Sequence, residues 1–472
     1  MMAYKTMGGR FRAGIGMAVL ACLPLIAACN AEDTLLEAVD PDIIDPGATQ
    51  SSEGALALYY GALQRLRQVT AGGESSWMFG GLLVDEWQSS STFVQNDETD
   101  QRSVATNNGT VNGKFRALSR ARTDANNAIR GMNQYRPTEK ARIAEMYFVR
   151  GFAELQMASD FCNGIPLSGF DENGEIVFGD PKPVADIFAA AIASLDSAIT
   201  LANGTDATSV LVNRAARIAK ARAQQGINLI AEAATTVSGI PTSFTYDVTF
   251  SDNAGSNILW SQAFSQGRYS VADSLEGNSR TILVRNAIPF FSAKDPRVPV
   301  SYIVSANGRD TTRGQDGQTF LRRTSLWGQL TATAVTHGLD ARLIEAEAQL
   351  KAGNVTGWLQ TLNTLRATPP KLGEVQPPAM SPLADPGTAE ARVDLMFREK
   401  AFWTFGRGHR LGDVRRLVRQ YGRTVDNTYP QGDHYKGGVY GTVGPERITT
   451  TLPVPQSEQN NPNFTTCANN NP

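Results

Sequence analysis

Residues 339–368 read LDARLIEAEAQLKAGNVTGWLQTLNTLRAT, and this stretch decides the fold. Its apolar residues recur at helical spacing on both sides of Gly353-Asn354. The pattern predicts two helices joined by a Gly-Asn turn. Small residues stand where the pair would cross, and large ones flank them. Such hairpins bury a core only by stacking on others.

The pattern recurs along the chain. PVADIFAAAIASLDSAITLA and VLVNRAARIAKARAQQGINLIAEA form an alanine-rich pair joined by NGTDAT. These pairs resemble tetratricopeptide hairpins. Upstream, 51–70 opens with serines suited to an N-cap and carries Leu56, Tyr59, Tyr60, Leu63 and Leu66 on one stripe. Further helices are expected within 75–88, about 113–133, and from a Thr138 cap through TEKARIAEMYFVRGFAELQMASDF. Gly151 on the apolar face of the last would let another helix approach closely. Between about 240 and 335 the helical period disappears, and PTSFTYDVTF, NILWSQAF and RVPVSYIV read as short strands. Helices return at 388–404 and 406–421. The expected class is mostly α, a tetratricopeptide-like hairpin scaffold with loop-rich, short-strand insertions.

The N-terminus predicts export. Lys5, Arg10 and Arg12 precede an apolar run from Ala13 to Ala28, short of the ~20 residues of a spanning helix. Ile26-Ala27-Ala28-Cys29 resembles a bacterial lipobox, which would make Cys29 the first mature residue and the lipid carrier. Cys22 is an alternative, as is a plain signal whose cysteine is incidental. The expected organisation is a lipoprotein signal peptide at 1–28 and a flexible acidic tether at 29–50. One folded body follows, with an N-terminal region at 51–250 and a C-terminal region at 251–472.

Composition excludes several function classes. A formal net charge of −2 over 472 residues, with no long basic tract, argues against nucleic acid as a partner. No second apolar segment reads as long enough to span a membrane. Three scattered histidines and no CxxC leave no metal cluster of usual spacing, and no cofactor motif occurs. DENGE at 171–175 lacks the later ligands of a calcium loop. If Cys22 leaves with the signal and Cys29 is acylated, only Cys162 and Cys467 keep free sulfurs. Two thiols in an exported protein favour pairing.

Six stretches in order resemble the SusD/RagB family of outer-membrane lipoproteins. They are ARIAEMYFVRGFAELQMASDFCNGIPL, VNRAARIAKARAQ, Asp295-Pro296-Arg297, LIEAEAQLKAGN with LNTLRA, REKAFWTFGRGHRLGDVRR and LPVPQSEQNNPNF. The chain departs from the family pattern at Arg407 and Gly412. The resemblance implies a SusD-like fold and a surface-exposed, lipid-anchored location on the outer membrane. It also implies a SusC-like TonB-dependent transporter as partner. The implied role is capture and delivery of an oligosaccharide or peptide, without catalysis. A tetratricopeptide-type interaction scaffold is the alternative, and a lipid-anchored hydrolase a third.

No GxSxG, HExxH or spaced carboxylate pair signals an enzyme. Asp85-Glu86 reads as a capping or surface pair and His409 as structural. Arg398-Glu399 and Arg415-Arg416 read as interhelical ion pairs rather than an anion site. A sugar presents an apolar ring face and a hydroxyl rim, which suits aromatic planes beside amides. Trp87, Phe93, Gln95 and Asn96 form the first candidate binding group, with Phe291 and Tyr435 from two further aromatic groups. Ligand contacts in the resembled family often come from the loop after this early helical region.

Overall fold

The computed structural model describes residues 50–171, 175–304, 311–444, 446–465 and 470–472. The signal peptide, Cys29, the tether and Cys467 lie outside the described residues. The helices of the N-terminal region are α1 (Ser52–Thr70), α2 (Ser76–Leu83), α3 (Val94–Asp100), α4 (Gly109–Tyr135) and α5 (Lys140–Asp160). They continue as α6 (Val184–Leu201), α7 (Ala207–Gly226) and α8 (Ile230–Val237). After a short α9 (Ile258–Ser261) come α10 (Gly338–Lys351), α11 (Val355–Ala367), α12 (Ala389–Trp403) and α13 (Arg410–Tyr421).

The stretch 339–368 folds as the hairpin α10–α11. His337 and Asp340 form a capping box at its start. Asn354 caps α11 by accepting from the Gly357 N–H at 3.0 Å, directly after Gly353 at φ +75°. α1 packs on α4, α4 on α5, α5 on α6, α6 on α7 and α7 on α8, and α10 joins the stack through α8. Most of these helices bury a stripe against their neighbours, as hairpin stacking requires, while α5 from Gly151 to Asp160 and the end of α7 are buried throughout.

Gly151 shows how tight the stack is. A Cβ there would lie 2.6 Å from Leu195 Cγ of α6. Ordinary van der Waals contact between carbons needs 3.5 Å or more, so only glycine fits. α6 is apolar enough over 18 residues to cross a membrane by length and composition, contrary to the sequence reading. It is nevertheless a scaffold helix, with Ile187, Phe188, Ala191, Leu195 and Ala198 buried. The α5 start also differs from expectation. Glu139 precedes Lys140, and no side chain caps the helix.

Buried ion pairs tie the C-terminal helices together. Glu347 of α10 accepts from Lys400 (3.1 Å), the Tyr421 hydroxyl (2.6 Å) and Arg416. Burial opposes its charge, but Arg416 and Lys400 outweigh that and hold it well below the usual carboxylate range. Arg297 grips Asp295 (2.7 Å) and Glu399 (2.7 Å), and Arg366 adds a third contact at 3.0 Å. This explains the Asp-Pro-Arg stretch. The Asp-Pro bend presents one carboxylate and the arginine bridges it to α12.

Among the described residues the strands form seven two-stranded antiparallel ladders. They are short loop braces rather than a continuous sheet. Thr245–Val248 and Val300–Tyr302 are strands as the sequence predicts. NILWSQAF is not. Asn257 accepts from the Leu259 N–H at 2.9 Å and starts α9 instead.

Candidate ligand-binding cleft

α9 is held from both sides. The Ile258 N–H donates to the Ala71 carbonyl just after α1 (2.8 Å), and the Asn257 N–H donates to the Gln329 carbonyl (2.9 Å). The Asn257 amide also donates to Thr331 O (2.9 Å) and Thr333 Oγ1 (2.8 Å). Its position is therefore set by the scaffold. The turn after α1 closes tightly, because a Cβ on Gly72 would lie 2.7 Å from the Arg67 carbonyl oxygen.

Between these segments opens a cleft of about 560 Å³. Its apolar wall is Phe250, Ile258 and the half-buried Trp260. Its polar rim is Arg67, Gln68, Ser256, Ser261, Ser265, Gln266 and Gln329. Trp260 and Phe264 sit four residues apart with ring planes inclined by 15° and centroids 5.0 Å apart. The Arg323 guanidinium stands 3.4 Å from the Phe264 centroid and donates to Ala263 O (3.1 Å) and Phe264 O (2.7 Å). Trp260, stacked on Phe264 outside the lining, thus stands in the same cleft as amide, hydroxyl and guanidinium groups. That arrangement can take a ring with an apolar face and a hydroxyl rim.

The sequence-predicted residues are placed elsewhere. Trp87 is wholly buried, with its ring 5.0 Å from Phe405 and 6.4 Å from Trp327. Its strand, Trp87–Ser89, pairs with Tyr269–Val271, and both segments are buried throughout. Trp87 is core and presents no ring face to a ligand. Phe291 is also buried, between Tyr302 (4.9 Å), Arg280 (4.7 Å) and the Lys294 ammonium (3.7 Å). Asn96 is buried and Gln95 half-buried, so neither is freely presented.

Tyr435 is half-buried and donates to the Ser89 carbonyl, bracing the strand from behind. Burial and the nearby Asp100 and Glu276 push its phenol well above the usual range. Phe93 alone of the group is a large exposed aromatic, at 45%. Arg268 packs 4.8 Å from its centroid, two residues from Gln266 of the cleft rim. The first group and Tyr435 thus gather around one strand, Phe291 stands apart, and Trp260 and Phe264 were missed. Their four-residue spacing behind an Asn cap was the available signal.

Asp85 and Glu86 correct a second expectation. Both are buried, not at the surface. Asp85 adopts φ 58°, and neither of its carboxylate oxygens has a hydrogen-bond partner among the described groups. Burial, with Glu276 and Asp100 nearby, pushes it well above the usual carboxylate range. Glu86 accepts from the Gly406 N–H at 2.9 Å, and burial pushes it up to about 7. His409 is buried and burial pushes it well below its usual value, so it sits neutral in the core. Among the described residues no group of three His, Cys, Asp or Glu side chains is arranged to hold a metal ion. Cys162 is buried and disulfide-bonded.

No protein-family model and no curated relative matches the sequence. Solved structures do. A SusD superfamily protein from Bacteroides vulgatus matches at 15% identity and TM-score 0.60, covering 89% of this chain and 99% of that one. A SusD superfamily protein from Bacteroides fragilis matches at 16% identity and TM-score 0.59, covering 88% and 99%. A laminarin-binding SusD-like protein matches at 15% identity and TM-score 0.56, covering 88% and 99%. The chain has the SusD fold, a tetratricopeptide-like helical scaffold carrying loop-rich insertions.

Proposed function

We propose that this chain is a glycan-capture lipoprotein of the outer membrane, without catalytic activity. It binds an oligosaccharide in the Trp260 cleft and passes it to a SusC-like TonB-dependent transporter. The observation that carries the reading is Trp260, stacked on Phe264, in the wall of a cleft with an amide and hydroxyl rim. The fold shared with a laminarin-binding protein supports glycan over peptide. The lipobox-like IAAC supports anchoring through Cys29, with 29–50 as the tether. Several acyl chains hold a protein stably where one is marginal.

The mature protein, solubilised in detergent, should retain neutral oligosaccharides from an arrayed panel and release them with unchanged mass. Cleavage of a retained glycan that is lost on changing one carboxylate contradicts the non-catalytic part. Failure to retain any glycan, with a peptide library retained instead, contradicts the glycan part. Co-purification of a TonB-dependent barrel from native membranes tests the partner.

A further inference from the structure

Seven arginines lie between residues 398 and 423 of the two last helices and the turns around them: Arg398, Arg407, Arg410, Arg415, Arg416, Arg419 and Arg423. Several are used internally. Arg407 pairs with Asp340, and Arg416 with Glu347 and Asp413. Arg415 donates to the Ala158 (2.8 Å) and Ser159 (2.6 Å) carbonyls. Arg398 and Arg410 are not. Neither forms an ion pair with any described carboxylate, so the ion-pair reading does not hold for Arg398.

Both line one cleft of about 290 Å³, remote in sequence from the Trp260 wall, together with Arg423, Ile288, Phe397 and Asn427. Arg410 is only 5% exposed, and its Nε has no hydrogen-bond partner. A buried, under-satisfied guanidinium is costly unless something completes it. The carboxyls facing it are Asp413, Glu86 and Asp85. Asp413 already accepts from Lys400 (2.7 Å) and Arg416 (3.2 Å). Glu86 accepts from Gly406, and burial pushes both Glu86 and Asp85 toward the neutral form. Arg423 is held by Asp394 at 2.7 Å on the rim. The cleft therefore carries uncompensated positive charge beside the partly exposed Ile288, with Phe397 buried beneath.

We propose that this cleft binds an oxyanion carried on a sugar, either a sulfate ester or a uronate carboxylate. Guanidinium forks match both groups bidentately, and the partly exposed Ile288 offers the sugar an apolar contact. The site is separate from the Trp260 cleft; its anion binding stands by itself, and the sugar that carries the anion rests on the glycan reading above.

The test is calorimetric titration of the mature protein with glucuronate and with inorganic sulfate, at ionic strength held constant with chloride. Saturable binding of at least one anion is expected. Arg398→Gln, at an exposed position with no carboxylate partner, should weaken it about fivefold, the effect of one solvent-facing charge-assisted contact. Arg410→Gln should weaken it further. If Arg410→Gln loses the native circular-dichroism spectrum, Arg398→Gln decides alone. No saturable binding of either anion, or unchanged affinity in Arg398→Gln, overturns the proposal. Neutral-glycan retention by the same variants reads the Trp260 cleft separately, and it should not change.

Discussion

The indole of Trp260 stacks on the ring of Phe264, with centroids 5.0 Å apart and planes 15° from parallel. Arg323 covers Phe264 at 3.4 Å and is itself fixed by two backbone carbonyls. The platform is thus ordered before any ligand arrives. Less conformational freedom is then lost on binding, which is how preorganisation adds affinity. The following expectations separate residues that bind from residues that hold the fold.

Trp87→Ala should destabilise the protein by about 3–5 kcal/mol, the usual cost of emptying a large aromatic site in a core. Phe93→Ala should cost less than about 1 kcal/mol, because nearly half of that ring is already in water. Urea midpoints of the two variants check the contrast. Equal destabilisation would place Phe93 in the core as well.

Gly151→Ala should cost about 1–3 kcal/mol through overpacking against Leu195. The double variant with Leu195→Ala should lose less than the sum of the single losses, because the two changes share one space. A double-mutant cycle in urea measures the coupling. Strict additivity would mean that α5 and α6 do not meet at this point.

Much of the fold was legible for a physical reason. Stacked helices repeat their apolar residues at a period that local sequence carries, and Gly151 marks the α5–α6 crossing. The site was less legible. Gln88 and Ser89 suggest that Trp87 lies near water, yet both are buried and satisfied internally. Gln88 accepts from Arg322, the Ser89 N–H donates to Asp100 (2.8 Å), and its hydroxyl donates to Asp97 (2.6 Å). Polar neighbours report exposure only when their partners are water. NILWSQAF misled in the opposite way. Its β-prone residues suggest a strand, but the Asn257 cap and anchors from two distant segments impose a helical turn, and tertiary contacts of that kind leave little local signal.

Stability should depend on pH through Glu86. Its pKa is about 7 in the fold against an ordinary 4.5, so the folded state holds a proton that the unfolded chain has released in between. Its contribution is therefore greatest below pH 4.5, falls as pH rises toward 7, and is flat above. Glu86→Gln keeps an oxygen for the Gly406 N–H and removes the titration. It should match the wild type at pH 4 and exceed it at pH 8 by up to about 3 kcal/mol. Denaturant titrations at the two pH values check this. A variant less stable than wild type at pH 8 would show that the carboxylate is needed in its charged form.

Both covalent expectations can be tested on one preparation. Labelled palmitate should enter the wild type and not Cys29→Ala. Denatured, non-reduced mature protein should titrate no free thiol if Cys467 is the partner of Cys162. Joining them would stabilise by roughly 5 kcal/mol in the chain-entropy description, and often less in practice. Label entering Cys29→Ala equally removes the anchor, and a free thiol at Cys467 removes the pairing.

The central claim is that Trp260 is the ring on which a glycan stacks. Its most direct test is calorimetric affinity for a neutral oligosaccharide retained by the wild type, repeated on Trp260→Ala. The account predicts a loss of at least about 1 kcal/mol, roughly fivefold in affinity, measured on protein that keeps the native circular-dichroism spectrum, because the ring is only partly exposed and packs in part against the core. Wild-type affinity in a folded Trp260→Ala protein would contradict it.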